Sequence, residues 1–209
     1  MTREKRSYQM KQRAEQQERT RLRIVESTVK LHGTIGPART SISAVADHAG
    51  VRRSTVYRHF PDEAALFTAC TSHWTTANQP PRLDLWAAIA DPDERLATAL
   101  GELYACYRST EQMMVNLLRD EETMPIVEQL FAGFREYLTA ASATLSTGKR
   151  ARGNARRRVN AAIGHALAFT TWRSLTRDNG LDDSEAVDLM RRLVAAAAQS
   201  AKRGSLVRR

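Results

Sequence analysis

The chain has no sustained apolar–polar alternation, so a sheet has little to be built from. No run approaches the roughly 18 apolar residues of a membrane span. The first residues, MTREKRSYQMKQRAEQQERTRLR, contain no apolar segment of the secretory kind, and a cytoplasmic protein is expected. The two cysteines, Cys70 and Cys106, are far apart and lack metal-ligand spacing, which suits buried thiols in a reducing compartment. Glycine-rich phosphate loops, HExxH, CxxC and GxSxG are all missing. His32, His48, His59, His73 and His165 are dispersed, and Asp120-Glu121-Glu122 and Asp182-Asp183 stand where helix starts attract acid. No enzyme, no metal site and no cofactor is expected.

Alanine, leucine, arginine and glutamate dominate, and the fold class expected is all-α. The net charge of +9 is uneven. Residues 1–60 hold 13 Lys+Arg against 5 Asp+Glu, a balance of +8, and residues 61–209 hold 19 against 18, a balance of +1. A basic head on a neutral body is suited to a polyanion.

The stretch Ser41–Phe60, SISAVADHAGVRRSTVYRHF, concentrates this charge. Ile42, Val45, Ala46 and Ala49 form one apolar face of a two-turn helix. Gly50 supplies a turn with φ > 0. A second helix starts near Arg52, burying Val56 with Phe60 and leaving Arg52, Arg53, Ser54, Thr55, Tyr57, Arg58 and His59 outward. This is the pattern of a DNA-binding helix-turn-helix.

Residues 1–14 lack apolar periodicity and are read as a basic disordered arm, open between phosphate contact and a solubilising tail. A helix follows from about Glu15 to Gly33, with Leu22, Val25, Val29 and His32 on one face. His32 is expected as a core histidine. Thr40 and Ser41 supply a hydroxyl N-cap, and the helix start is also suited to a phosphate. Pro61-Asp62-Glu63 begins a linking helix that ends at Asn78-Gln79-Pro80-Pro81. The expected domains are the arm (1–14), the head (15–78) and the body (79–209).

The head resembles the DNA-binding domain of TetR-type (tetracycline-repressor-like) transcriptional regulators. The resemblance rests on Ile42, Val45, Ala46, Ala49, Gly50, Val51, Thr55, Tyr57, His59, Phe60 and Leu66, over about residues 17–75. It implies base contacts near the start of the second helix, from Arg53, Ser54 and Tyr57. Arg53 can donate twice to a guanine. It implies phosphate contacts from Thr55, Tyr57 and His59. Arg52 and Arg58 fit either role, and Ser43 can reach a base or a phosphate. Family members often carry a lysine two or three residues after the aromatic, where this chain has Asp62 and Glu63.

The body has no such signature. Its apolar spacing predicts a short helix at Leu83–Ala90, helices over Leu96–Tyr107 and Glu111–Arg119, one after Pro125, and two long ones over 154–177 and 182–202. The alanine-rich faces of the last two fit either an intrachain bundle or a four-helix homodimer interface, and the resemblance favours the interface. It also implies an effector pocket, with Trp86, Tyr104, Tyr107, Met113, Met114, Phe131, Phe134, His165, Phe169 and Trp172 as candidate wall. No buried acid or base stands out, so a small, uncharged, largely apolar effector is expected. The function implied is a ligand-responsive repressor binding a pseudo-palindromic double-stranded DNA operator as a homodimer. The alternative is a DNA-binding regulator without an effector, acting as an activator or through a protein partner.

Overall fold

The computed structural model describes residues 3–149 and 151–199, with no strand among them. Among the described residues there are ten α-helices: α1 (Arg3–Thr34), α2 (Ile42–Ala49), α3 (Arg53–His59), α4 (Glu63–Ala77), α5 (Leu83–Ala88), α6 (Pro92–Asp120), α7 (Pro125–Ser146), α8 (Gly153–Leu167), α9 (Phe169–Arg173) and α10 (Asp183–Ala198). A 3-10 turn covers Pro37–Arg39 and a π turn Ser174–Asp178. The chain divides into two compact units, one of residues 1–79 with 110–131 and the other of 80–109 with 132–209. The long helix α6 contributes to both.

In the first unit, α1 starts at Arg3, although the sequence leaves residues 3–14 as a disordered arm. The cause is local. No glycine or proline interrupts residues 1–32, and Gln, Lys, Arg, Glu and Met all propagate a helix. Gln12 donates to the Tyr8 hydroxyl at 3.0 Å and Arg19 to Gln16 at 2.9 Å, supporting the exposed turns. The buried stripe is also rotated from expectation. Ile24, Val25, Thr28 and His32 are buried, and Leu22 is exposed. Thr28 is tolerated inside because its hydroxyl donates to the Ile24 carbonyl at 2.8 Å. Around this stripe Ile42, Val45, Ala49, Val56, Phe60 and Leu66 close the core.

The last turns of α6 belong to this unit. Asn116 donates to the His32 carbonyl at 2.9 Å, and Arg119 to the Ile35 carbonyl at 2.9 Å. An Asp120 carboxylate oxygen accepts the Ala38 N–H at 2.9 Å. These bonds satisfy main-chain groups left open where α1 ends. Gly36 permits the approach. It sits at φ 94°, and a Cβ there would overlap the Arg119 guanidinium.

In the second unit, Arg95 is buried and donates to the carbonyls of Ile89, Thr144 and Thr147, joining the ends of α5 and α7 to the start of α6. The expected break between Tyr107 and Glu111 is absent, because Arg108-Ser109-Thr110 contains no helix breaker. The helix expected over 154–177 is broken at Ala168, whose ψ of 133° is extended. Tyr104 and Tyr107 stabilise the break by donating to the carbonyls of Ala166 and Leu167 at 2.9 and 2.6 Å. The expected last helix reaches residue 202, and its residues 200–202 lie outside the described residues. It opens with a capping box between Asp182 and Glu185.

Candidate nucleic-acid interface

The helix-turn-helix is assembled by one cap and one glycine. The Ser41 hydroxyl oxygen accepts the Ala44 N–H at 3.2 Å and starts α2. Gly50 takes φ 63°, ψ 40°, and Val51 N–H returns to the Ala46 carbonyl at 2.9 Å. That left-handed residue stops α2 and turns the chain into α3 with no Cβ penalty. Val56 and Phe60 are 1% and 2% exposed, which sets the rotation of α3 about its axis.

The rotation decides what α3 offers. Arg52, Arg53, Ser54, Tyr57 and Arg58 are exposed, and Thr55 and His59 are half-buried. Among the described residues the side chains of Arg52, Arg53 and Arg58 are neither hydrogen-bonded nor ion-paired. Three unpaired guanidiniums within seven residues make this end of the unit strongly positive. Thr40 is half-buried and its hydroxyl donates to the Gly36 carbonyl at 2.8 Å, leaving its oxygen lone pairs outward-capable. Ser43 is half-buried in the first turn of α2.

His59 is less simple. Its Nε2 is buried without a hydrogen-bond partner in the structure. Burial, then the charges of Arg58 and Arg21, hold its pKa below the usual histidine value against the opposing charge of Glu18. A neutral imidazole donates one proton only, so a phosphate would be met through Nδ1. Arg21, which sequence reasoning passed over, lies 4.9 Å over the Phe60 ring. Its signal was its place three residues before Ile24 on the buried stripe. Asp62 accepts the Ala65 N–H at 2.7 Å, so the acid at the family's lysine position serves as the cap of α4.

In the other unit, Tyr104, Tyr107, Phe134, Phe169 and Trp172 are brought together. Tyr107 lies 5.3 Å from Phe169, 5.9 Å from Trp172 and 6.4 Å from Phe134 between ring centres. All but Phe134 are buried, and burial pushes the Tyr104 and Tyr107 hydroxyls up from their ordinary pKa. Trp86 is buried beside Tyr137, which stacks on Phe134 with ring centres 6.0 Å apart and so joins it to this group. His165 is exposed, its Nδ1 3.2 Å from the Thr171 hydroxyl. Met114 and Phe131 belong to the first unit. A cleft of about 620 Å³ opens elsewhere, between α7 and α8, with Leu138, Ser142, Ala143, Arg156, Asn160 and Leu167 among its lining. Sequence reasoning missed it, since its small and polar side chains carry no pattern distinct from a solvated face.

Among the described residues no group of three or more His, Cys, Asp or Glu could hold a metal ion, and no helix is long and apolar enough to cross a membrane. Residues 24–70 match the family model of bacterial regulatory proteins, tetR family. No curated protein sequence matches the chain. Solved structures share the fold. A candidate TetR-family transcriptional regulator from Mesorhizobium loti is 18% identical, with a TM-score of 0.62 over 87% of this chain and 96% of that one. A TetR-like regulator from Rhodococcus sp. is 15% identical, with a TM-score of 0.61 over 86% and 97%. The transcriptional regulator FadR from Bacillus subtilis, solved with stearoyl-CoA, is 16% identical, with a TM-score of 0.56 over 85% and 97%. Residues 24–70 thus match the tetR-family model, and the chain has the fold of solved TetR-family regulators.

Proposed function

We propose that the chain is a ligand-responsive repressor that binds a pseudo-palindromic operator as a homodimer in the cytoplasm, acting by binding and not by catalysis. The observation that carries this is the α3 face. Arg52, Arg53 and Arg58 stand exposed and without ion pairs on a helix presented by the Gly50 turn. Arg53, Ser54 and Tyr57 are the base-reading candidates, Thr40, Ser41, Thr55, Tyr57 and His59 the phosphate-side ones, and Ser43, Arg52 and Arg58 fit either role. Two copies would place α3 in successive major grooves, with half-sites about one helical turn apart, roughly 34–36 Å.

The second copy would dock on α8 and α10. Leu189 and Leu193 are 43% and 42% exposed on α10, and Ala161, Gly164 and His165 are exposed on α8. Exposed leucines beside small residues are what a four-helix interface needs. The effector would bind in the body, downstream of a head ending near residue 78. The α7–α8 cleft is the available volume, and the apolar surface of Leu138, Ala143 and Leu167 beside Arg156 suits an amphipathic ligand. The FadR relative makes an acyl-CoA the first compound to try.

The test is selection of bound duplexes from a random DNA pool, followed by footprinting. Enrichment of a two-fold-symmetric sequence, protected by a dimer and released by a ligand, supports the proposal. Enrichment without any ligand effect leaves the effector-free regulator, and no enrichment contradicts operator reading altogether.

A further inference from the structure

The head core accounts for α1 only from about Arg21 onward. Residues 7–19 are exposed apart from a half-buried Gln9, and Tyr8 and Met10 are each 63% exposed. Such a segment gains nothing from packing, and an isolated helix of this length is marginal in water. Its charge arrangement gives a reason to keep it. The stripe that becomes the core contact at Ile24, Val25, Thr28 and His32 continues backwards, at spacings of three and four, as Arg21, Gln17, Arg13 with Ala14, and Met10. That stripe holds no acid. Glu15 lies off it, four residues from Lys11, and Glu18 borders it next to Val25, close enough to act on His59.

The stripe leads from α3. Arg21 covers the Phe60 ring, and both Arg21 and Glu18 act on His59 at the end of α3. A phosphate beside His59 would be next to the point where the stripe leaves the head. From Arg21 back to Ser7 the helix runs about 21 Å at 1.5 Å per residue, the length of roughly six base pairs of a duplex that carries one charge per 1.7 Å.

We propose that the N-terminal half of α1, through the acid-free stripe carrying Arg13, Gln17 and Arg21, is a second DNA surface that lies along the phosphates flanking each half-site. This rests on the operator-binding role proposed above. The occupant is a polyanion because the stripe offers guanidinium and amide donors and one exposed methionine, too little apolar surface for a partner helix. The extension adds affinity without adding base preference, since phosphates are alike in every sequence.

The experiment uses the full chain and a duplex it has selected from a random pool, with ten base pairs on either side of the protected site. Arg13→Glu and Lys11→Glu change the net charge equally on opposite sides of one helix, and circular dichroism confirms that both keep their helix content. Arg13→Glu is expected to weaken binding about tenfold and to lower the salt slope by about one. Lys11→Glu is expected to change binding by less than twofold. On a duplex trimmed to the two symmetric half-sites, without the base pairs that flank them, the two variants should bind alike. Equal losses from both variants, no loss from either, or a difference that survives trimming overturns the proposal. If the wild-type chain selects no symmetric sequence, the operator role falls and this surface with it. If it selects one and Arg13→Glu binds normally, only this surface falls.

Discussion

Asn116 on α6 donates its amide hydrogen to the main-chain oxygen of His32 on α1, 2.9 Å away and 84 positions apart in sequence. That carbonyl is one of those a helix leaves open at its C-terminal end. The bond makes the last turns of α6 part of the head's own unit, next to the Arg119–Ile35 and Asp120–Ala38 bonds.

Removing this donor should therefore destabilise the head. Asn116→Leu leaves a buried carbonyl unpaired, at a cost of about 1–3 kcal/mol. A denaturant titration should show a lower midpoint with little change in slope. A midpoint equal to that of the wild type would mean that water or another donor replaces the amide.

The same histidine should make the protein acid-sensitive. Burial lowers the His32 pKa to about 4, against the smaller opposing effect of Asp120. The unfolded chain, with an ordinary histidine, binds the proton first as pH falls. The stabilisation is thus complete above about pH 6.5 and lost progressively down to about pH 4, and amounts to roughly 3 kcal/mol. Urea unfolding measured across that window should show the loss, and His32→Leu should flatten most of it. His59, shifted in the same direction, would leave a smaller residual slope. Stability independent of pH between 6.5 and 4 in the wild type would contradict the buried neutral state.

The head was largely legible because its signals are local. Ile42, Val45, Ala46 and Ala49 stand at helical spacing, Gly50 follows at once, and the burial of Val56 with Phe60 sets which side of α3 is polar. What was not legible depends on partners distant in sequence. The break at Ala168 needs hydroxyls from Tyr104 and Tyr107, some 60 positions earlier, and nothing near Ala168 marks it. Leu22 was misassigned for a related reason. Helical spacing allows a stripe of Leu22, Val25, Val29 and His32 and one of Ile24, Val25, Thr28 and His32, and only the packing of Ile24 with Ile42, Val45 and Leu66, distant in sequence, selects the second. Residues 3–14 are helical because propensity, not hydropathy, decides the state of an exposed segment without glycine or proline.

Gly50 couples fold and reading. Gly50→Ala has open space for its methyl group but must hold φ 63°. The left-handed conformation should cost about 1–2 kcal/mol, and any relaxation rotates α3 relative to α2. Gly50→Ala should lower thermal stability and weaken DNA binding further than that loss explains at a temperature where the head remains folded. Full affinity in a folded variant would show that the turn tolerates another geometry.

The tyrosines that were candidate pocket wall should behave as structural groups. Tyr107→Phe deletes the donor to the Leu167 carbonyl and keeps the ring contacts with Phe169 and Trp172. A loss of about 1–3 kcal/mol is expected, with DNA affinity unchanged at low temperature. An unaltered melting temperature together with changed ligand release would return Tyr107 to the effector site.

The most direct test of the whole account is base-resolved binding by Arg53→Ala. Wild type and variant are titrated against the selected duplex and against duplexes with each base pair replaced in turn, at one salt concentration. The account predicts a loss of about 1–3 kcal/mol on the selected site, with discrimination relaxed at one position in each symmetric half. A loss of the same size on every duplex would make Arg53 a phosphate contact, and would contradict the claim that this face of α3 reads the sequence.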